Sequence, residues 1–235
     1  MGIHNVGNEQ GIKGLPCGSV FDAASTTQKA ELGRIVDFKD GRKFMYVKSA
    51  ATIGAGGVVS QPAASAVTAN ALAVAAIGAK ELTLTIASVT LNQYQDGTIH
   101  ITDDTGQGYT HKIKSNTATS GGTITIELYE GLIVAVDATS DVVLVPNLCN
   151  GVRAGIAAAL PLGVSVVATT SGSYSWIQIA GISTVGVKTA TSIAAGKIVM
   201  AGADAGVVIS DGTQKAIGVA LAAVDDYLAV DLCLG

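Results

Sequence analysis

Three histidines, His4, His100 and His111, are the side chains of this sequence best suited to bind a metal. His100 and His111 flank a turn, so across a hairpin their imidazole rings could face each other as two ligands of a zinc ion. A zinc site needs four ligands, and no cysteine or carboxylate at a suitable spacing completes the set. We therefore expect His100 and His111 to be solvated strand residues, and we expect no metal site.

Two glycine-rich stretches resemble ligand-binding loops. DDTGQG (103–108) carries two carboxylates, but a calcium loop needs further oxygen ligands at regular spacing. IGAGG (53–57) is followed by neither Lys-Ser/Thr nor a helix-forming segment, as a phosphate loop would be. Both stretches are predicted to be turns, and so is Asp225-Asp226.

Catalytic groups show no recognisable arrangement. The sequence has no Gly-x-Ser-x-Gly, and no serine has a nearby histidine with an orienting carboxylate. The 18 acidic residues are scattered, mostly at predicted turns. We expect a protein that is not an enzyme, with no catalytic residue and no cofactor.

The only tryptophan, Trp176, lies beside Tyr174 in GSYSWIQIAGIST (172–184). Strand alternation places Tyr174, Trp176 and Gln178 on one face, and Ser175, Ile177 and Ile179 on the other. The aliphatic face is the natural core side, so the Tyr174 and Trp176 face meets a second sheet or another subunit. Because aromatic anchors concentrate in cores and interfaces, we favour such packing over ligand stacking.

Composition limits the class of protein. Of 235 residues, 49% are hydrophobic and only 14% are charged, which argues against disorder and favours a homo-oligomer that covers apolar surface. The net charge of −4 and the lack of a basic cluster argue against nucleic-acid binding. No stretch is long enough to span a bilayer and no signal peptide is visible. Three widely spaced cysteines indicate reduced thiols and synthesis in a cytoplasm.

Strand signals dominate from Leu32 onward. Ile35 to Val47 predicts a hairpin with Asp40-Gly41 at its tip. Alternation and turn clusters predict strands at 82–86, 98–102, 109–114, 123–128, 132–136 and 141–145. The alanine-rich residues 63–80 are predicted to be a linker. The expected fold is all-β, a small barrel or sandwich domain with a second, inserted β module and an extended N-terminal arm.

Two internal similarities suggest the domain organisation. SAATIGAGGVVSQ (49–61) resembles TATSIAAGKIVMA (189–201), and LGVSVVA (162–168) resembles IGVALAA (217–223). We predict that residues 31–63 and 151–235 build one core domain. Residues 64–150 then form the inserted module, and residues 1–30, which lack periodicity, form the arm.

Several diffuse patterns match a known family. They are LGRIVDFKDGRKFMYVKSAATIGAGGVV (32–59), PLGVSVVATTSGSYSWIQIAGISTV (161–185), GKIVMAG (196–202), AIGVALAAV (216–224) and YLAVDLCL (227–234). The chain resembles the capsid decoration, or cement, proteins of tailed bacteriophages. NQYQDGTIHITDDTGQGYTHKIKS (92–115) and LVPNLCNGV (144–152) resemble the longer members, which carry an extra β module.

The resemblance implies a virion protein, most often a homotrimer, that binds the outer face of a shell where major capsid protein subunits meet. The arm is the expected contact with the capsid or with adjacent subunits, through its apolar residues Ile3, Val6, Ile12, Leu15, Val20 and Phe21. Strand addition to a sheet edge is one way for it to bind, and an arm that is merely disordered is the alternative. A tail or spike component that binds a host-surface glycan is the second functional hypothesis, and a depolymerase-type hydrolase is a weaker third.

Overall fold

The structure is a computed structural model that describes residues 19–62, 67–71, 74–155, 159–187, 192–202, 206–210, 212, 215–222 and 226–234. These residues form strands, bridges and turns but no helix, which confirms the expected all-β class. The chain divides into two compact units. The inserted unit is Ala64–Asn147, and the major unit combines Met1–Ala63 with Leu148–Gly235.

The strands are numbered in chain order. Those of the major unit are β1 (Ile35–Asp37), β2 (Lys43–Ser49), β3 (Val58–Ser60), β10 (Asn150–Ala154), β11 (Pro161–Ser165), β12 (Tyr174–Gly186), β13 (Ile198–Ala201), β14 (Val207–Ile209), β15 (Ala216–Ala220) and β16 (Tyr227–Cys233). Those of the inserted unit are β4 (Val67–Ala71), β5 (Glu81–Thr85), β6 (Thr98–Asp103), β7 (Thr110–Asn116), β8 (Thr123–Leu128) and β9 (Asp141–Val145).

The inserted unit is a closed barrel with the strand order β4-β5-β8-β7-β6-β9. Alternating residues of each strand point inward, so in β5 Leu82 and Leu84 are buried and the residues between them are exposed. The interior is filled by aliphatic side chains such as Leu84, Ile113 and Leu144, each with 0% of its surface exposed. Each contributes about 2 kcal/mol of burial, so this unit has a core of its own.

Two sequence predictions for the inserted unit are wrong. Residues 132–136 form no strand, because only Val136 makes a backbone bridge, to Ala75, and Ile133 is 61% exposed. The predicted linker 63–80 contains β4, which pairs with β9 and β5 to close the barrel. The alanine and asparagine side chains of β4 give no alternating hydrophobic pattern, so the sequence does not reveal this strand. The strand is defined by its backbone pairing.

The major unit is built on one continuous sheet that closes on itself. Its order is β1-β2-β10-β3-β11-β12-β16-β15-β13-β14, and β2 also pairs with β12. The strands β2, β10, β3, β11 and β12 therefore form a closed ring, and the remaining strands continue from β12. The predicted hairpin is confirmed as β1 and β2, with Val36 opposite Phe44.

Strand β12 belongs to both parts of this sheet. Its first half pairs with β2, and its second half pairs with β16 over Ala180–Gly186. The change of partner occurs at a bulge between Gln178 and Ala180. Gly181 follows the bulge with φ +77°, and a Cβ there would lie 3.1 Å from the Gly41 carbonyl oxygen, so this turn in the strand requires glycine.

The similarities within the sequence correspond to a structural repeat. Repeat A consists of β3, β11 and the first half of β12, and repeat B consists of β13, β15 and β16; neighbouring strands in each list are paired antiparallel. Both repeats begin with a buried bridge residue, Ile53 or Ile193, and a turn through a left-handed glycine, Gly56 or Gly196.

Equivalent residues pair in the same way in both repeats. In repeat A, Val164 lies opposite both Val58 and Gln178. In repeat B, Val219 lies opposite both Ile198 and Asp231. We call the first set (Val58, Val164, Gln178) the A row and the second (Ile198, Val219, Asp231) the B row.

Candidate functional site: an exposed sheet face on repeat B

The B row lies on an exposed face of the sheet. Ile182 of β12 lies opposite Asp231, and so extends the row to four strands. The exposed fractions are 61% for Ile182, 53% for Ile198 and 39% for Val219. Leu221, 47% exposed, follows at the end of β15, where its N–H donates to the Ala229 carbonyl. We call Ile182, Ile198, Val219, Leu221 and Asp231 the B face.

The opposite side of the same strands is buried in a hydrophobic core. Val199, Val230 and Leu232 alternate with the B-face residues and are buried in one cluster. Burial of the inner side therefore does not require the outer aliphatic side chains, whose contiguous exposure is typical of an interaction surface.

Asp231 is the charged residue of the B face, and it limits which groups another surface could place opposite it. It is exposed in the middle of the aliphatic row, and no lysine or arginine among the described residues forms an ion pair with it. Covering a carboxylate without a counter-charge costs several kcal/mol. A surface that covers Asp231 must therefore supply a cation or hydrogen-bond donors opposite it.

A groove adjoins the B face at Ile182. Its volume is about 380 Å³, and it is lined by Phe21, Arg42, Gly56, Val166, Ile182 and Tyr227, among others. A Cβ at Gly56 would lie 3.0 Å from the Tyr227 ring and 3.2 Å from the Thr184 carbonyl oxygen. The absence of a side chain at Gly56 thus keeps this end of the groove open.

Arg42 is held rigidly at the other end of the groove. Its guanidinium carbon lies 5.8, 5.5 and 5.7 Å from the ring centroids of Phe21, Phe38 and Phe44. Its Nη2 forms an ion pair with Asp40 Oδ2 at 2.7 Å. Because its charge is already neutralised, Arg42 serves as a wall of the groove.

The Tyr174 and Trp176 face of β12 packs inside the chain. Trp176 is 3% exposed and belongs to a cluster with Phe38, Phe44 and Tyr46. The Trp176 and Tyr46 ring centroids are 5.0 Å apart. Tyr174 is half-buried and stacks on Tyr46 at 6.1 Å, with Lys48 Nζ 5.5 Å from its ring centroid. The neighbouring Ile177 and Ile179 fill a second cluster on the other face, so β12 is covered on both sides here.

The residues that the sequence predicted to contact the capsid do not share one environment. Ile3, Val6, Ile12 and Leu15 lie outside the described residues. Val20 has 0% of its surface exposed and packs in the aromatic cluster, so its side chain serves the core of the major unit. Phe21 is 47% exposed and packs edge-on against Phe44 at 5.9 Å.

Residues 19–30 are part of the major unit, although the sequence predicted that they belong to a free arm. Ser25 exchanges two backbone hydrogen bonds with Tyr174, at 3.0 and 2.7 Å, and Ala30 is buried. Irregular, glycine-containing sequence indicated the lack of strands, but not that Val20 fills a core position. A truncation to residue 30 would therefore remove the core residues Val20 and Ala30.

The histidines His100 and His111 do not face each other. His100 lies opposite Thr110, and His111 lies opposite Ile99, so the two rings are on opposite faces. His100 is half-buried, and its ring nitrogens contact Thr98 Oγ1 at 2.9 Å and Thr110 Oγ1 at 3.0 Å. His111 is 6% exposed, so the prediction that it is solvated is wrong.

Burial lowers the pKa of His111, and the nearby charge of Glu130 opposes this only in part. Its Nε2 is buried and has no hydrogen-bond partner within the part of the chain that the structure describes. Burial in the inserted unit therefore favours the neutral form of His111.

Other candidate groups take structural positions. IGAGG is a turn in which Ile53 exchanges hydrogen bonds with Thr169. Cys149 is buried and Cys233 is exposed, and burial raises the pKa of the Cys149 thiol to about 11. Within the described ranges, no three histidine, cysteine or acidic side chains are grouped so that they could hold a metal ion. The same ranges contain no helix long and apolar enough to cross a membrane.

The B face was missed in the sequence, although one signal was present. YLAVDLCL alternates Leu228, Val230 and Leu232 with Tyr227, Ala229 and Asp231, and so indicated one buried and one open face. Which neighbouring strands continue the open face depends on the register of β12, β15 and β13.

No protein-family model matches the chain, and no curated protein and no solved structure matches it either.

Proposed function

We propose that the protein is a structural virion protein that binds the outer surface of a bacteriophage capsid and stabilises contacts between major capsid protein subunits. It acts as a homotrimer, is synthesised in the bacterial host cytoplasm, and carries out no catalysis. This proposal takes its functional class from the sequence resemblance to decoration proteins, and its contact surface from the B face.

The single observation that carries the proposal is the exposed aliphatic row of repeat B. A protein that stabilises a shell must bury apolar surface against it, and the B face offers four aliphatic side chains on a rigid sheet. At 39% to 61% exposure, each contributes about 1 kcal/mol when covered. The sum is modest against the cost of association, so stable attachment needs several copies of the face.

A trimer supplies those copies. Once one subunit is bound, the second and third contacts form at a high effective concentration. The low charged fraction of 14% is consistent with further apolar surface covered between subunits.

The partner surface follows from the chemistry of the B face. We expect apolar side chains of the major capsid protein around one lysine or arginine that pairs with Asp231. The net charge of −4 makes nucleic acid an unsuitable partner.

Reconstitution tests this function. Purified protein is added to matured shells that lack it, and bound protein and shell survival after heating or transfer to low salt are measured. We expect saturable binding and a rise in shell stability. Failure to bind shells, together with binding to host cells, contradicts the proposal and favours the glycan-binding tail or spike component.

A further inference from the structure

The second half of β12 has one unpaired edge, and this edge forms a wall of the groove. Gln178 lies between two strands, with Phe44 of β2 on one side and Val164 of β11 on the other. From Ala180 onward β16 takes over the first side, but β11 ends at Ser165, and no described strand replaces it along Ala180–Gly186. Strand β14 meets the chain just beyond β12, in an isolated bridge between Val207 and Val187. Sheet edges of this kind bind extended chains.

Hydrogen bonds at both ends show which backbone groups face the groove. The Val187 N–H donates to the Asp226 carbonyl at 2.8 Å, and the Leu234 N–H donates to the Ile179 carbonyl at 3.2 Å. Odd-numbered residues of this half therefore bond toward β16, and even-numbered residues point to the other side. Accordingly, the Gly186 N–H donates to the Gly56 carbonyl at 2.9 Å on the groove side.

Two carbonyls on this edge are already satisfied. Gln178 Nε2 donates to the carbonyl oxygens of Ala180 and Ile182, at 3.0 Å each. The N–H groups of Ile182 and Thr184 also face the groove, and no acceptor among the described residues bonds to them. The edge therefore presents two backbone donors, spaced as in a strand, beside the apolar walls Phe21 and Tyr227.

We infer that the groove is a strand-addition site that binds residues from the N-terminal segment, 1–18, of a second copy of this chain. Carbonyl oxygens of the added segment accept from the N–H groups of Ile182 and Thr184. An apolar side chain of the segment, such as Ile3, Val6 or Ile12, packs between the groove walls. This inference rests on the homo-oligomer of the proposed function and gives its arm a binding site.

The path of the chain favours a second copy over the same copy. Phe21 lines the groove, but Val20 turns into the core, and Ser19 lines a small cavity with Ser175 and Trp176. Going toward the N-terminus, the chain therefore runs from the groove wall at Phe21 to the Ser175 and Trp176 part of β12 at Ser19, and not along the groove toward Ile182. Its own groove is reached only by doubling back, whereas 18 extended residues span up to about 60 Å, enough to reach a neighbour.

A matched pair of variants at Thr184 tests this site. Thr184→Pro removes the groove-facing N–H and leaves the β16 hydrogen bonds in place, because proline is tolerated where its position faces an open edge. Thr184→Val keeps the N–H and is the control. In the full chain we expect Thr184→Pro to weaken self-association at least 10-fold by light scattering, with unchanged Trp176 fluorescence, and Thr184→Val to behave as the wild type.

Amide hydrogen exchange and a competing peptide give independent readouts. We expect the Ile182 and Thr184 amides to become protected as the protein concentration rises, and a synthetic peptide of residues 1–18 to dissociate the oligomer. The inference is overturned if these amides exchange freely in the oligomer, or if their protection does not depend on concentration, which would show that the segment binds its own copy. If Thr184→Pro loses self-association and binds shells more weakly, both the inference and the proposed avidity stand. If it loses self-association and binds shells as tightly as the wild type, the inference stands but the proposed need for several copies of the B face is wrong.

Discussion

The A row and the B row occupy equivalent places in two repeats, yet one is buried and the other is open. Val58 and Val164 have 0% of their surface exposed, whereas their counterparts Ile198 and Val219 are 53% and 39% exposed. Val58 and Val164 of the A row pack in one cluster with inner residues of repeat B such as Val199 and Val230. The molecule therefore already contains one sheet-on-sheet contact through such a row, whereas the equivalent aliphatic side chains of repeat B are exposed among the described residues.

The third position of each row explains how the two surfaces differ chemically. Gln178 is 3% exposed, and its amide is satisfied by the Ala180 and Ile182 carbonyls. Asp231, its counterpart, has no such partner within the described residues and remains in solvent. A neutral amide can be buried within one chain, whereas a carboxylate is buried at low cost only where a cation or hydrogen-bond donors meet it.

The largest expected effect on stability comes from the glycine in each repeat at which two paired strands approach closely, Gly163 in repeat A and Gly218 in repeat B. A Cβ at Gly218 would overlap the Asp231 carbonyl oxygen, and one at Gly163 would lie 2.7 Å from the Gln178 carbonyl oxygen. We expect Gly218→Ala and Gly163→Ala each to lower the free energy of unfolding by about 3 kcal/mol, measured by urea titration with Trp176 fluorescence. Gly54→Ala is the control, because nothing lies within 4 Å of its Cβ. Equal stability of all three variants would mean that the repeats are not held by close strand approach.

Truncating equivalent valines measures the difference between the rows directly. Val164→Ala leaves a cavity in the core and is expected to cost about 2 kcal/mol. Val219→Ala removes the same two methyl groups from an exposed site and is expected to change stability by less than about 0.5 kcal/mol. Urea titrations of the two variants provide the measurement. Similar costs at both positions would show that the B row is covered in the isolated protein.

The two histidines of the inserted unit also differ in burial, and we expect this difference to affect how stability depends on pH. Because its pKa is lowered below the ordinary 6.5, folded His111 takes up a proton less readily than the unfolded chain does. We therefore expect the inserted unit to lose stability as the pH falls below about 6.5, seen as a smaller protection factor of the Ile113 amide after correction for its intrinsic exchange rate. His111→Gln should remove this dependence and His100→Gln should retain it; the reverse pattern would contradict the assigned burial.

The smallest expected effect on stability comes from Asp231. Asp231→Asn leaves the backbone and the shape of the B face unchanged, so the free energy of unfolding should change by less than about 0.5 kcal/mol. Shell binding should nevertheless weaken several-fold and lose part of its salt dependence, because the cation of the partner then has no counter-charge. Binding that is equally tight and equally salt-dependent would remove Asp231 from the contact.

Much of the fold could be predicted from the alternation of hydrophobic and polar residues along the strands. The predictions that were wrong have specific physical causes. Strands such as Thr123–Leu128 and Asp141–Val145 were predicted because buried aliphatic residues recur at every second position. Strand β4 was missed because alanine and asparagine give no such pattern. The prediction that His111 is solvated is wrong because pairing with Ile99 places its side chain on the buried face of the sheet; a shift of one residue in register would place it on the opposite face.

The candidate site was less predictable than the fold for a related reason. Val164 and Val219 lie in similar local sequences, LGVSVVA and IGVALAA, so local sequence gives them the same expected burial. Their exposure differs because the rest of the chain covers only repeat A. That distinction is tertiary, and so is the entry of Val20 into the aromatic core.

The central claim, that the B face docks on a capsid, is tested most directly by two isoleucines of similar exposure. Ile198 on the B face is 53% exposed, and Ile133 on the inserted unit is 61% exposed. Both are replaced by glutamate, and binding of each variant to matured shells is titrated beside the wild type. We predict that Ile198→Glu weakens binding at least 10-fold while Ile133→Glu leaves it unchanged. Wild-type binding by Ile198→Glu would show that the B face does not contact the shell.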